Sequence, residues 1–102
     1  MFTLHCTAKL LVTLKRKPSP KADATTRLGN WYANHLDGPR SRIVCVSERT
    51  YLPVVLERAA VRELPRALAD ALAPLLGELG VPAPLIEQER FPMAQCAFAR
   101  TE

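Results

Sequence analysis

Leucine residues recur at helical spacing over one long stretch of the chain, and this stretch limits the folds open to it. In a helix, the apolar side chains of this stretch share one face: Val61, Leu64, Leu68, Leu72, Leu75, Leu76 and Leu79. The spacing predicts a helix near 62–79 whose apolar face must pack against a second layer. Pro65 is tolerated in a first helical turn, whereas Pro74 lies inside the pattern and predicts a kink or a break.

The segments that precede this helix have the composition of short β-strands. Residues 31–36 are rich in aromatic side chains, and residues 42–47 and 51–56 are apolar; short turn-like connections separate the three segments. This arrangement predicts an antiparallel meander. Pro53 cannot donate a hydrogen bond to a neighbouring strand, so it indicates a sheet edge or a bulge.

The two ends of the chain contribute further elements. Residues 2–6 alternate apolar and polar side chains, which is typical of a half-buried strand, and residues 93–99 are a weaker strand candidate. Thr7 stands at an N-cap position before a short helix near 8–16. We therefore expect an α+β fold, in which a small antiparallel sheet is covered by the long leucine-striped helix and the short N-terminal helix.

Length and composition fit one domain over residues 1–102. Hydrophobic residues make up 48% of the chain and charged residues 24%, which suffices for one core without disulfides. The three cysteines are odd in number and suit no disulfide framework. No apolar run reaches the roughly 20 residues of a membrane helix, and no leader-like pattern begins the chain. The expected location is the cytoplasm, without membrane contact.

Positive charge is concentrated in the first part of the chain. Residues 1–42 carry eight basic and two acidic side chains, whereas residues 43–102 carry six basic and eight acidic ones. The proline-broken, basic residues 17–27 predict a flexible loop, and the asymmetry predicts an anionic partner. A solvated loop whose charge only aids solubility is the alternative.

The pair His5-Cys6 at a strand-to-helix junction is the best catalytic candidate. A thiol near a helix N-terminus is more easily ionised, and His5 or His35 would serve as its base. However, Val12 stands where a cysteine phosphatase loop needs an arginine, and Lys9 stands where a redox pair needs a second cysteine. A buried, small hydrophobic Cys6 is the simpler interpretation.

No metal or cofactor motif is present in the sequence. The spacings of Cys6, Cys45, Cys96, His5 and His35 match no zinc motif. The chain also lacks a phosphate loop, a dinucleotide fingerprint and a Ser-His-Asp signature. We expect no bound metal and no cofactor.

A short aromatic segment is the best binding candidate. Trp31 and Tyr32 lie on opposite faces of a strand, so we expect Trp31 in the core and Tyr32 at the surface. The predicted contact residues are polar or basic and lie near this segment or in the basic stretch before it: Tyr32, Asn30, Asn34, Lys15, Arg16, Lys17 and Arg27. Aromatic stacking beside positive charge also suits a nucleic-acid-binding module, although no such module's pattern matches.

Three short stretches of the chain are distinctive: His-Cys-Thr-x-Lys-Leu-Leu from His5, Leu-Gly-Asn-Trp-Tyr-Ala-Asn from Leu28, and Glu-Arg-Thr from Glu48 with the following Leu-Pro-Val-Val. Together they resemble a family of small bacterial proteins known only as a domain of unknown function. The resemblance implies prokaryotic origin and a small α+β domain, and it transfers no functional residues. Such proteins usually continue beyond Thr101 with an Asn-Arg-Ser segment, so a short or truncated member is expected.

Together these features predict a non-enzymatic binding or interaction domain with an anionic or protein partner. A small thiol-dependent enzyme that uses Cys6 and a nucleic-acid-binding module are the alternatives. A homodimer formed by pairing of an exposed sheet edge is a further structural alternative.

Overall fold

Five strands form one sheet in the computed structural model, which describes residues 1–18, 23–36 and 42–101, without the side chains of Arg58, Ala59 and Val61. The order across the sheet is β4-β3-β2-β1-β5. The strands are β1 (Phe2–Cys6), β2 (Trp31–Leu36), β3 (Arg42–Ser47), β4 (Pro53–Glu57) and β5 (Cys96–Arg100). The helices are α1 (Ala8–Leu14), α2 (Leu64–Glu78) and α3 (Ala83–Arg90), with 3₁₀ segments at Arg58–Glu63 and Phe91–Ala94.

The predicted α+β class and the meander are confirmed. Strand β3 pairs antiparallel with β2 and β4, as short connections require. The sheet extends on the other side through β1, which pairs parallel with β2 and with β5. These parallel pairs follow from the helical crossovers between β1 and β2 and between β4 and β5, so the sheet is mixed.

Several helices and strands are shorter at one end than predicted. Thr7 is the N-cap of α1, and its hydroxyl accepts a hydrogen bond from the Leu10 N–H. Helix α1 ends two residues earlier than predicted, because Lys15 adopts the left-handed conformation at φ 56°. Strand β4 begins at Pro53 rather than residue 51, and β5 begins at Cys96 rather than residue 93.

The long predicted helix is confirmed in type but shortened at its start. A 3₁₀ segment takes Arg58–Glu63, and α2 begins at Leu64 with Pro65 in its first turn. Helix α2 continues through Pro74, so the predicted break does not occur. Pro74 is exposed, so the carbonyl that loses its intrahelical partner lies on the solvent side.

One face of the sheet and the leucine stripe form the core. The buried stripe is Leu64, Leu68, Leu72 and Leu76, and it belongs to one cluster with the inward-facing strand residues. Trp31 is completely buried in this cluster, whereas Tyr32 is 41% exposed on the other face. The predicted division of the two aromatic rings is therefore confirmed.

The predicted loop 17–27 lies outside regular structure over its described part, and residues 19–22 lie outside the described residues. Its end is anchored, because the Thr25 N–H donates to the Met1 carbonyl over 2.9 Å. Across the three described stretches, every helix is too short or too polar to cross a membrane.

Candidate functional site

Two stretches that carry the resemblance noted in the sequence meet in space, and we call their meeting point the motif junction (Leu28–Asn30 and Ser47–Arg49). The Asn30 N–H donates to Glu48 Oε1 over 3.2 Å, and the Glu48 N–H donates to the Asn30 carbonyl over 2.9 Å. Asn30 Oδ1 accepts a hydrogen bond from the Thr3 N–H over 2.8 Å, so Asn30 also ties the junction to β1. Asn30 is 3% exposed. Its polar groups therefore stabilise the fold and face no solvent.

Gly29 allows the two halves of the junction to approach each other closely. It has φ +77°, a conformation that glycine adopts without strain. The side chain of Arg49 lies against it, and a Cβ at this position would be 3.0 Å from Arg49 Cγ. The Nη1 of Arg49 donates to the carbonyls of Thr26 and Arg27 over 3.3 and 3.2 Å. Arg49 therefore holds the loop before Gly29 in place through these two hydrogen bonds.

A buried carboxylate holds the same loop from the helical side. Glu89 is 4% exposed, and its two oxygens accept hydrogen bonds from the N–H groups of Arg27 and Leu28 over 2.8 and 2.9 Å. A buried carboxylate needs such partners to offset its lost hydration. The sequence pattern gives no signal for this role, because the partners are backbone groups 62 and 61 residues away.

The catalytic candidates do not converge. Cys6 is completely buried on the core face, and burial raises the pKa of its thiol to about 12. Because Cys6 and its neighbour His5 alternate along β1, His5 faces the other side of the sheet, where its ring stacks on Tyr32 at 4.6 Å. His35 is half-buried in β2. The geometry therefore does not support Cys6 as a nucleophile, since a thiol with a raised pKa is protonated at neutral pH.

The other two thiols also have raised pKa values, although Cys45 is buried and Cys96 is only half-buried. Burial raises the pKa of Cys45 and of Cys96 to about 12. Over the described ranges, no group of three or more His, Cys, Asp or Glu side chains is arranged to hold a metal ion.

The structure also separates the predicted binding residues. Tyr32 and Asn34 are exposed on the sheet face opposite the core, and Asn34 Oδ1 accepts from the His35 N–H over 2.8 Å. Lys15, Arg16 and Lys17 are exposed after the end of α1. The guanidinium carbon of Arg16 lies 5.2 Å from the centre of the Phe98 ring, on the core side of β5. Arg27 is exposed beside the motif junction, and Asn30 is buried within it. The seven residues thus form no single surface.

A wide concave surface brings Arg16 together with residues that were not among the predicted contacts. This arginine groove has a volume of about 970 Å³ and lies between the end of α1, the start of α2 and the region from α3 to residue 95. Its apolar lining comes from Pro65, Ala69, Phe91, Pro92 and Met93. Its charged lining comes from Arg16, Arg62, Arg66, Arg90, Glu63, Asp70 and Glu87.

The carboxylates of the arginine groove are matched with two of its arginines. Arg90 binds Asp70 over 2.7 Å and Glu87 over 3.0 Å, and these hydrogen bonds raise the pKa of the Arg90 guanidinium. Arg66 lies 3.5 Å from Glu63 and 3.9 Å from Asp70. Among the residues that the structure describes, no carboxylate lies within ion-pair distance of Arg16 or Arg62. Arg16 and Arg62 are therefore exposed guanidinium groups of the groove without a carboxylate partner in the described part of the chain.

The sequence carries a signal for one part of this groove, the pair Arg62 and Arg66. Arg62 and Arg66 are four residues apart, which places them on one side of a helical segment. Arg16 and Arg90 join them only through the tertiary fold, because they lie on different elements.

Comparison with known proteins yields a family and nothing closer. Neither the curated proteins nor the solved structures contain a significant match to this chain. The sequence profile of one family matches residues 3–102, nearly the whole chain. The chain therefore belongs to DUF6933, a family defined as a domain of unknown function.

Proposed function

We propose that this domain binds an acidic segment of a protein partner in the arginine groove. The single observation that supports the proposal is the pair Arg16 and Arg62, whose guanidinium groups border an apolar lining without a carboxylate partner in the described part of the chain. Carboxylates of a partner would pair with these two arginines. Apolar side chains of the same segment would cover Ala69, Met93 and the exposed Phe91.

The charge pattern of the groove favours a peptide over a nucleic acid. A nucleic acid strand presents a continuous row of phosphates, which needs a continuous row of cations. Here Glu63, Asp70 and Glu87 alternate with the arginines and would repel such a row. A peptide that mixes acidic and apolar residues meets the cations singly and uses the apolar lining as well.

Fluorescence polarisation tests the proposal with a short labelled peptide of alternating glutamate and leucine. We expect saturable binding that weakens as salt screens the exposed charges. The double variant R16A/R62A should weaken binding about tenfold, which corresponds to ~1.4 kcal/mol. The lysine–leucine counterpart of the peptide should not bind.

Two controls separate the groove from general attraction to a basic protein. R27A removes an exposed arginine that does not line the groove, and it should leave the affinity unchanged. An equal loss of affinity in R27A would contradict the proposal. Tighter binding of a labelled single-stranded DNA than of the acidic peptide would replace it with the nucleic-acid alternative.

A further inference from the structure

A second concave surface lies on the other side of the sheet and shares no residue with the arginine groove. This tyrosine hollow has a volume of about 580 Å³ and is lined by Tyr32, Val46, Ser47, Glu48, Arg49 and Tyr51. Tyr32 and Val46 are cross-strand partners on the face opposite the core. We propose that the tyrosine hollow binds a pyranose ring of a neutral carbohydrate, a function independent of peptide binding in the groove.

The backbone at Tyr51 is the first observation behind this proposal. Tyr51 has φ +60°, a left-handed conformation that is a true outlier for a bulky residue. Its N–H donates to the Ser47 carbonyl over 2.9 Å, and Ser47 Oγ accepts from the Thr50 N–H over 3.3 Å. The turn therefore holds Tyr51 in this conformation, although its side chain is 78% exposed. A glycine would adopt this backbone without strain, and the exposed ring adds nothing to the core, so a ligand contact is the role that we assign to it.

The second observation is the fixed orientation of Tyr32. Its ring stacks on His5 at 4.6 Å with an angle of 17° between the planes. His5 is 8% exposed, so one face of the Tyr32 ring is covered while the side chain as a whole is 41% exposed. The hollow thus offers an ordered tyrosine from the sheet and an exposed tyrosine from the turn. Tyrosine provides a flat apolar surface with a polar end, which suits the apolar C–H face and the hydroxyl edge of a pyranose.

The charges of the hollow favour a neutral occupant. Glu48 and Arg49 are the two charged residues in its lining, and their charges cancel. Arg49 Nη1 is already bonded to two carbonyls, and Glu48 Oε1 is bonded to the Asn30 N–H. The second carboxylate oxygen of Glu48 is an acceptor, and the other guanidinium nitrogens of Arg49 are donors. Sugar hydroxyls donate and accept hydrogen bonds, so they suit this pair, whereas a phosphate would face the Glu48 carboxylate.

Amide chemical shifts of the ¹⁵N-labelled protein test the inference. Maltotriose, cellotriose and N,N′,N″-triacetylchitotriose serve as neutral probes, and adenosine serves as a planar ring that is not a sugar oligomer. We expect at least one trisaccharide to cause saturable shifts at Tyr32 and at Glu48–Tyr51, with a dissociation constant in the millimolar range. Shifts with adenosine alone, or no saturable shift with any probe, would overturn the assignment.

Two variants at Tyr51 test whether the sugar-induced chemical shift changes depend on its aromatic ring. Y51G removes the ring and relieves the backbone, so it should abolish the saturable shifts while the melting temperature stays the same or rises. Y51F keeps the ring and should retain the affinity within about twofold, because the stacking surface is unchanged. Sugar-induced shifts that persist unchanged in Y51G would show that the sugar binds elsewhere and would overturn the proposal.

Discussion

The motif junction and the arginine groove differ in how their polar groups are satisfied. In the junction, Asn30 and Glu48 bind backbone groups of neighbouring segments, and Glu89 of α3 accepts hydrogen bonds from the loop that leads into it. In the groove, Arg16 and Arg62 have no carboxylate partner within the described ranges. The difference teaches that buried polar side chains in this fold bind its own backbone, whereas the arginines of the groove lie at the surface.

The largest expected effect tests the junction as a structural unit. E89A removes the acceptor of two backbone N–H groups at a position that is 4% exposed. Leaving these donors unsatisfied should lower the free energy of unfolding by about 2–4 kcal/mol. Urea denaturation measures this through the emission of Trp31, which is completely buried in the folded state.

The neighbouring position provides the control for this change. Q88A alters an exposed residue on the same helix and should change the free energy of unfolding by less than about 0.5 kcal/mol. If E89A and Q88A lowered the free energy of unfolding equally, Glu89 would stabilise the fold no more than an exposed surface residue does. Peptide affinity should be unchanged in both variants, measured at a temperature where each is folded.

A glycine pair gives the next largest effect. G29A forces a side chain into a left-handed conformation and against Arg49, so it should lower the free energy of unfolding by about 1–2 kcal/mol or more. G77A is the matched control, because Gly77 lies inside α2 at a point where an added methyl group would meet no other part of the molecule within 4 Å. It should raise the free energy of unfolding by up to about 1 kcal/mol. Thermal or urea unfolding distinguishes the two, and a stabilising G29A would contradict the account of the junction.

Local patterns were the part of this molecule that the sequence could predict. The leucine stripe, the Thr7 cap and the opposite faces of Trp31 and Tyr32 each depend on neighbours within one turn or one strand. The role of Glu89 could not be predicted, because its hydrogen-bond partners are backbone N–H groups 62 and 61 residues away. Every residue except proline has such a group, so the sequence does not show which of them Glu89 binds. The arginine groove could not be predicted for a similar reason, since Arg16 and Arg90 lie on different elements that the tertiary fold brings together.

The buried thiols predict a pH dependence that separates the interior from the groove. In the folded state, burial raises the pKa of Cys6, Cys45 and Cys96 from 9.0 to about 12. The unfolded chain therefore loses these protons first, and stability that is present below pH 9 falls as the pH rises towards 12. Each thiol contributes up to about 1.4 kcal/mol per pH unit in this window.

The slope against pH, rather than the absolute stability, measures this contribution. C45A should reduce the slope of the free energy of unfolding above pH 9 by about one thiol's share, even though it also leaves a small cavity. Native thiols should react with iodoacetamide at pH 8 far more slowly than free cysteine does. Rapid alkylation of Cys6 in the folded protein would restore the thiol-dependent enzyme as a hypothesis.

The smallest effect on stability is expected in the groove, where the effect on binding should be the clearest. Asp70 is the acid shared by both paired arginines, at 3.9 Å from Arg66 and 2.7 Å from Arg90. D70N keeps the shape of the side chain but removes its charge. Because the side chains of Asp70 and Arg66 are more than half exposed and that of Arg90 is 34% exposed, it should lower the free energy of unfolding by less than about 1 kcal/mol.

For the acidic peptide, D70N should act in the direction opposite to R62A. Removing the carboxylate frees part of the charge of two arginines and eliminates one repulsive group, so the affinity should rise a few-fold, whereas R62A should lower it. Opposite changes in affinity at nearly constant stability would mark a surface whose charges are directed at a partner. If D70N weakened peptide binding as R62A does, the ion pairs of Asp70 with Arg66 and Arg90 would serve to stabilise the folded groove and not to bind the peptide. Only Arg16 and Arg62 would then distinguish the groove from the motif junction.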